Sequence, residues 1–164
     1  MQNQQFNQHL QRSSRVKVNR KTVTWSPSLK EWFKINTNAT FKTESAKGET
    51  SAILKDISRS MLTGSVNKIY TISALSAEAE AIRRGIIVAK NLNFQKVVIE
   101  SDNLLLVQIL KSKLSIAEVD VILHDIQSLS AETPNCGFTW TTREGNKAAN
   151  FVASLATTDN LRSN

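Results

Sequence analysis

The stretch SALSAEAEAIRRGIIVAKNLNFQKVVIESD, Ser73 to Asp102, changes its hydrophobic period halfway along. In the first part Leu75, Ala79, Ile82, Ile86 and Ala89 recur at helical spacing, so Ser73–Asn91 predicts an amphipathic helix. In the second, Gln95–Asp102 reads as a strand whose apolar run Val97-Val98-Ile99 suits a position covered on both faces. A helix leading into a covered strand predicts layered α/β structure.

Upstream, Trp25-Ser26-Pro27-Ser28 reads as a turn, and strands are predicted at Glu31–Phe41, Thr50–Ile57 and Met61–Ile72, with Gly48 and Gly64 as breaks. Short connections make these three an antiparallel meander. Downstream, Asn103–Lys111 predicts a short helix. Ser115-Ile116-Ala117-Glu118 has the form of a capping box for a helix that buries Ile116, Val119, Ile122, Ile126 and Leu129. Cys136–Arg143 alternates as a last strand through Phe138 and Trp140, which, like Trp32, are expected in the core. Asn146 is placed to cap a final helix with Ala149, Val152, Ala153 and Ala156 along one side. The order is β-β-β-α-β-α-α-β-α, a mixed five-stranded sheet flanked by helices. We assign residues 25–158 to one domain, 1–24 to a flexible basic arm and 159–164 to a tail.

Composition narrows the function. The chain of 164 residues is 40% hydrophobic and 21% charged, as folded globular chains are. One cysteine, Cys136, excludes an internal disulfide, and no apolar run approaches the ~20 residues of a membrane span. The expected location is the nucleus or cytoplasm, with no membrane association. The net charge is +7, but Arg12, Arg15, Lys17, Arg20, Lys21 and Lys30 precede the first acidic residue, Glu31. The other 15 basic residues face 14 acidic ones, so the excess charge lies in the arm. An anionic partner is expected there, and nucleic acid fits.

Carboxylates also stand beside core positions. Glu78 and Asp102 flank the two halves of the opening stretch, and Lys34, Asn36 and Asn38 share one face of the first strand. Read alone, Glu78 is an ordinary helix-surface residue beside Glu80, and Asp102 a cap for the helix at Asn103. Of the two histidines, His9 lies in the arm and His124 on a helix surface.

Six short motifs give these carboxylates a second reading: WSP at 25–27, KINTNAT at 34–40, LKD ending at Asp56, AEA at 77–79, ESD at 100–102 and REGNKAANFVA at 143–153. In this order, on these elements, the chain resembles the ribonuclease H type 1 domain, above all the copies in plants and plant non-LTR retroelements. The family pattern runs W-x-P, K-x-N-x-D-G-A, a strand ending R-D, A-E-A, E-S-D, and R-E-x-N-x-x-A-D-x-x-A. The resemblance implies a ribonuclease H-like fold and two-metal hydrolysis of the RNA strand of an RNA–DNA hybrid.

In that family four carboxylates hold Mg²⁺ (or Mn²⁺), and carried over by position they fall on Asn38, Glu78, Asp102 and Asn150. Glu78 and Asp102 are retained as the implied metal ligands, while Asn38 and Asn150 keep the shape of aspartate without its charge, and Ala39 replaces the family's glycine. Two dications ~4 Å apart need about four negative charges to offset their repulsion. The expectation is therefore weak or absent metal binding and little hydrolysis. Glu100, Asp56 and Glu144 are the alternative carboxylates. Arg143 and Asn146 stand where relatives place polar groups against the hybrid's backbone; with Arg12, Arg15, Lys17, Arg20 and Lys21 they form the expected nucleic-acid contacts, to RNA–DNA hybrid or structured RNA. Two other readings stay open: an active hybrid endonuclease with a depleted site, and an interaction module or relic that binds no nucleic acid.

Overall fold

The structure, a computed structural model, describes residues 32–56, 61–149 and 151. Its strands are β1 (Phe33–Lys42), β2 (Lys47–Lys55), β3 (Met61–Tyr70), β4 (Lys96–Ser101) and β5 (Asn135–Trp140). They form one sheet in the order β3-β2-β1-β4-β5. β1 pairs antiparallel with β2 and β2 with β3, whereas β4 runs parallel to β1 and β5 parallel to β4. This is the mixed five-stranded sheet that the order of elements predicts. Helix α1 (Ala74–Asn91) crosses from β3 to β4, and α2 (Leu104–Ser112) and α3 (Asp120–Ala131) connect β4 to β5.

The period-2 alternation of β1 sorts its two faces. Ile35 joins Leu54, Val97 and Ile99 in the main core with Ile82 and Ile86 of α1 and Leu123 and Ile126 of α3. Each such side chain, taken fully out of water, contributes about 1.5–3 kcal/mol. The opposite face carries a polar cluster. Glu100, 6% exposed, accepts from Asn36 Nδ2 at 2.8 Å and from Lys34 Nζ at 3.4 Å. Burial lowers the pKa of Lys55, next to Lys34 in the register, and Glu100 opposes that shift.

Helix α1 lies unusually close to β1. A Cβ added at Gly85 would stand 2.9 Å from Thr37 Cγ2 and 3.3 Å from Ile35 Cγ2. Glycine is present because the helix has no room for a side chain there.

Several local expectations need correction. Gly48 and Gly64 lie inside β2 and β3 and break neither strand. At Gly48 a Cβ would meet the Thr40 carbonyl at 2.5 Å, so the glycine reflects close backbone approach. Ser115–Glu118 is not a capping box: residues 117–119 form a 3-10 turn, and α3 starts at Asp120 without a side-chain cap. Ser115 bonds to Asp120, and Glu118 accepts from Ser73. β5 ends at Trp140, not at Arg143. Trp140 is not a core residue, being 44% exposed; Trp32 and Phe138 are half-buried. Of the final helix, residues 147–149 and 151 are described.

Candidate active site

Three local structures deliver side chains to one end of the sheet. β1 brings Asn38, which faces Ser51 across the pairing with β2 and is 6% exposed. α1 brings Glu78. Ser73 caps the helix by accepting from the Ser76 N–H at 3.1 Å, which fixes its first turn. Gly85, seven residues after Glu78, shares its helical face and lets that face press against β1. Glu78 Oε1 thereby accepts from the Ala39 backbone N–H at 3.3 Å. Two positions on, Glu80 faces elsewhere and is held by Arg83 at 2.8 Å and Arg84 at 2.9 Å. Glu78 is therefore not an ordinary member of a charged surface.

β4 brings Asp102 at its end. Helix α2 is capped by Asn103, whose Oδ1 accepts from the Leu106 N–H at 3.0 Å. Asp102 is thus relieved of the capping role that its position suggested. The loop after β5 closes the site: Thr141 N–H donates to the Ser101 carbonyl at 3.0 Å, and Trp140 Nε1–H to the Asp102 carbonyl at 3.2 Å. Asn146 Nδ2 donates to the Thr37 carbonyl at 2.7 Å, one residue before Asn38. These ties bring Arg143 to the recess that Asn38, Ala39, Glu78, Asp102 and Asn103 line, a space of about 280 Å³.

The electrostatics of this recess are those of a site short of charge. The pKa of Glu78 rises from 4.5 to about 8, first because it is buried and then because Asp102 is near; the Ala39 N–H and Arg143 oppose the rise. Its second oxygen, Oε2, is buried without a hydrogen-bond partner. Burial also raises the pKa of Asp102, with Arg143 acting against the shift.

As a metal site the recess offers two carboxylates, the Asn38 amide and the opposing charge of Arg143. Among the described residues no group of three or more His, Cys, Asp or Glu side chains converges. That donor set does not fit a two-ion centre. The oxygen left without a partner, Glu78 Oε2, could at most join Asp102 in holding one dication weakly.

The remaining sequence candidates are placed as follows. Arg143 is exposed at the recess. Asn146 is 1% exposed; it donates its amide to the Thr37 carbonyl, and its Oδ1 makes no capping bond to the described residues of the last helix. Glu100 is engaged by Asn36 and Lys34, away from the recess, and Glu144 does not line it. His124 is exposed on α3. Asn150, Arg12, Arg15, Lys17, Arg20 and Lys21 lie outside the described residues. Sequence reasoning missed the Ala39 N–H as a partner of Glu78 and Trp140 as an exposed neighbour of Asp102.

The family described as reverse transcriptase-like matches residues 36–156. Among curated proteins there is no match. Solved structures do match. RNase H1 from the halophilic archaeon Halobacterium salinarum superposes with a TM-score of 0.72 at 15% identity, over 78% of this chain and 98% of that one. The N-terminal RNase H domain of a Mycobacterium tuberculosis protein gives 0.70 at 18% identity, over 77% and 94%. LC11-RNase H1, isolated from compost and solved with an RNA/DNA hybrid, gives 0.71 at 19% identity, over 79% and 99%. At these identities the superpositions establish shared fold. No described helix is long and apolar enough to cross a membrane.

Proposed function

Since the chain belongs to the reverse transcriptase-like family, with its ribonuclease H-like fold, we propose that it is a nucleic-acid-binding domain of retroelement origin, of the plant type, with little or no hydrolytic activity. Its ligand class is RNA–DNA hybrid or structured RNA, met in the nucleus or cytoplasm. The observation that carries the reading is Asn38. It lines the recess with Glu78 and Asp102 from the central strand of the sheet, and supplies no charge.

The argument is one of magnitude. A unit charge ~4 Å from a dication is worth several kcal/mol even at an effective dielectric of 20. The recess lacks that charge at Asn38, holds Arg143 close by, and favours a protonated Glu78 at neutral pH. Mg²⁺ or Mn²⁺, if bound through Glu78 and Asp102, would supply Lewis acidity, but a single ion cannot stabilise both the attacking and the leaving oxygen. What the chain's own residues do well is bind. Arg143 presents a guanidinium, a good partner for phosphate, at the mouth of the recess.

The test is cleavage and binding of a labelled RNA–DNA hybrid in Mg²⁺ and in Mn²⁺, for wild type and Glu78→Gln. Expected are salt-dependent binding by both proteins and no cleavage by wild type beyond the level of Glu78→Gln. Cleavage abolished by Glu78→Gln would overturn the non-catalytic reading in favour of a depleted but working endonuclease. Absence of binding would favour a relic.

A further inference from the structure

A larger cavity, about 530 Å³, lies at the far end of the β1–β2–β3 meander. Lys42, Lys47, Lys68 and Tyr70 form its exposed rim, and Glu49, 8% exposed, lies in it beside Thr40. The pairings Thr40↔Glu49, Glu49↔Lys68, Lys42↔Lys47 and Lys47↔Tyr70 bring these side chains to one face of the sheet. Thr40 Oγ1 donates to Glu49 Oε2 at 3.4 Å, and the Lys47 ammonium stands 6.0 Å from the Tyr70 ring centroid. Because β1 alternates without a bulge, Asn38 shares this face. Lys42, four residues further on, is ~13 Å from it, about four steps of duplex rise.

We propose that this cavity is a ribose–phosphate subsite, occupied by a ribonucleotide of a strand that also crosses the recess at Asn38; the proposal rests on the nucleic-acid-binding reading above. The chemistry selects the ligand. The Lys42 and Lys47 ammonium groups at the rim call for an anion. A buried carboxylate at the floor repels a bare phosphate and calls for a hydroxyl donor. The exposed Tyr70 ring offers a flat apolar face. A ribonucleotide meets all three demands, with its phosphate against Lys42 and Lys47, its 2′-OH donating to Glu49 and its sugar or base against Tyr70. A deoxyribonucleotide lacks the hydroxyl and leaves the carboxylate facing phosphate. The 2′-OH is the group by which a protein tells RNA from DNA at one position.

The experiment measures affinity of the full chain for single-stranded RNA and DNA 12-mers of one sequence across a salt series. Wild type should prefer RNA by about tenfold, the value of one charge-assisted hydrogen bond. Glu49→Gln should reduce that preference to about threefold or less, with DNA affinity rising. Lys42→Gln with Lys47→Gln should weaken both polymers and reduce the slope of log K against log salt by up to ~1.4. The basic arm meets phosphates on either polymer, so the RNA-to-DNA ratio reports the pocket. Tyr70→Ala, at an exposed position, should weaken RNA several-fold and serves if Glu49→Gln fails to fold. No binding of either polymer by wild type would overturn the function proposed above and this subsite with it. Binding with an unchanged ratio in Glu49→Gln, or an unchanged slope in the lysine pair, would overturn the subsite alone.

Discussion

Glu78 is the residue on which pH should act. Its folded pKa of about 8 lies above the unfolded value of 4.5, so between these values the native state holds a proton that the unfolded chain has lost. Stability attributable to Glu78 is therefore fully present below pH 4.5 and falls as pH rises through 8, by on the order of a few kcal/mol. Glu78→Gln should flatten that fall, and melting temperatures from pH 5 to 8.5 for the two proteins check it; parallel curves would count against the assignment. The amides make a complementary case. Asn38→Asp with Asn150→Asp is nearly isosteric, and without metal the added charges should lower the melting temperature by raising one another's pKa values. Mg²⁺ should restore it, because only the folded state gathers the ligands. Hybrid cleavage should appear mainly in the double variant, and a double variant indifferent to Mg²⁺ would separate these positions from any metal site. That Glu78 and Asp102 meet in one recess was legible in the sequence because family motifs surround them. Asn146 was not, since an Asn that caps a helix and one that bonds a distant strand read alike until the Thr37 carbonyl is seen beside it.

At the scale of elements, the contact between α1 and β1 sets the geometry. Gly85→Ala should gain about 1 kcal/mol of helix propensity and lose more, about 1–3 kcal/mol, to the clash with Thr37. The helix must tilt or shift, so the bond from the Ala39 N–H to Glu78 should lengthen. Denaturant midpoints and the hydrogen-exchange protection of the Ala39 amide measure both effects; unchanged values would show that α1 has slack. Helix α1 and the strands around it followed from periodicity, because apolar spacing is a local record of burial. The start of α3 did not. Ser115 and Glu118 have capping chemistry, but Glu118 is used by Ser73 at the head of α1, a tertiary partner that no local window contains. Gly48 and Gly64 misled for a related reason. A glycine that ends a strand and one that lets two backbones approach have the same letter, and only the sheet register tells them apart.

For the whole molecule, charge is divided between near-neutral residues 31–164 and a basic segment before them. Deleting residues 1–24 removes Arg12, Arg15, Lys17, Arg20 and Lys21, and should reduce the magnitude of the salt slope for hybrid binding by up to ~4.5, at about 0.9 per phosphate contact. A slope unchanged by the deletion would move the main contact surface onto the sheet. The central position of β1 has another consequence, for the order in which the chain emerges from a ribosome. β1 and β2 adjoin in sequence and can pair at once, but Glu100 of β4, the partner of Asn36, is made 64 residues later. At 5–20 residues per second that edge of β1 waits roughly 3–13 s for its neighbour. A strand edge left open for so long invites association with other chains. Lys34, Asn36 and Asn38 give one face of the waiting strand a hydrated surface, so polar side chains that the finished fold largely buries should keep that face soluble until β4 arrives.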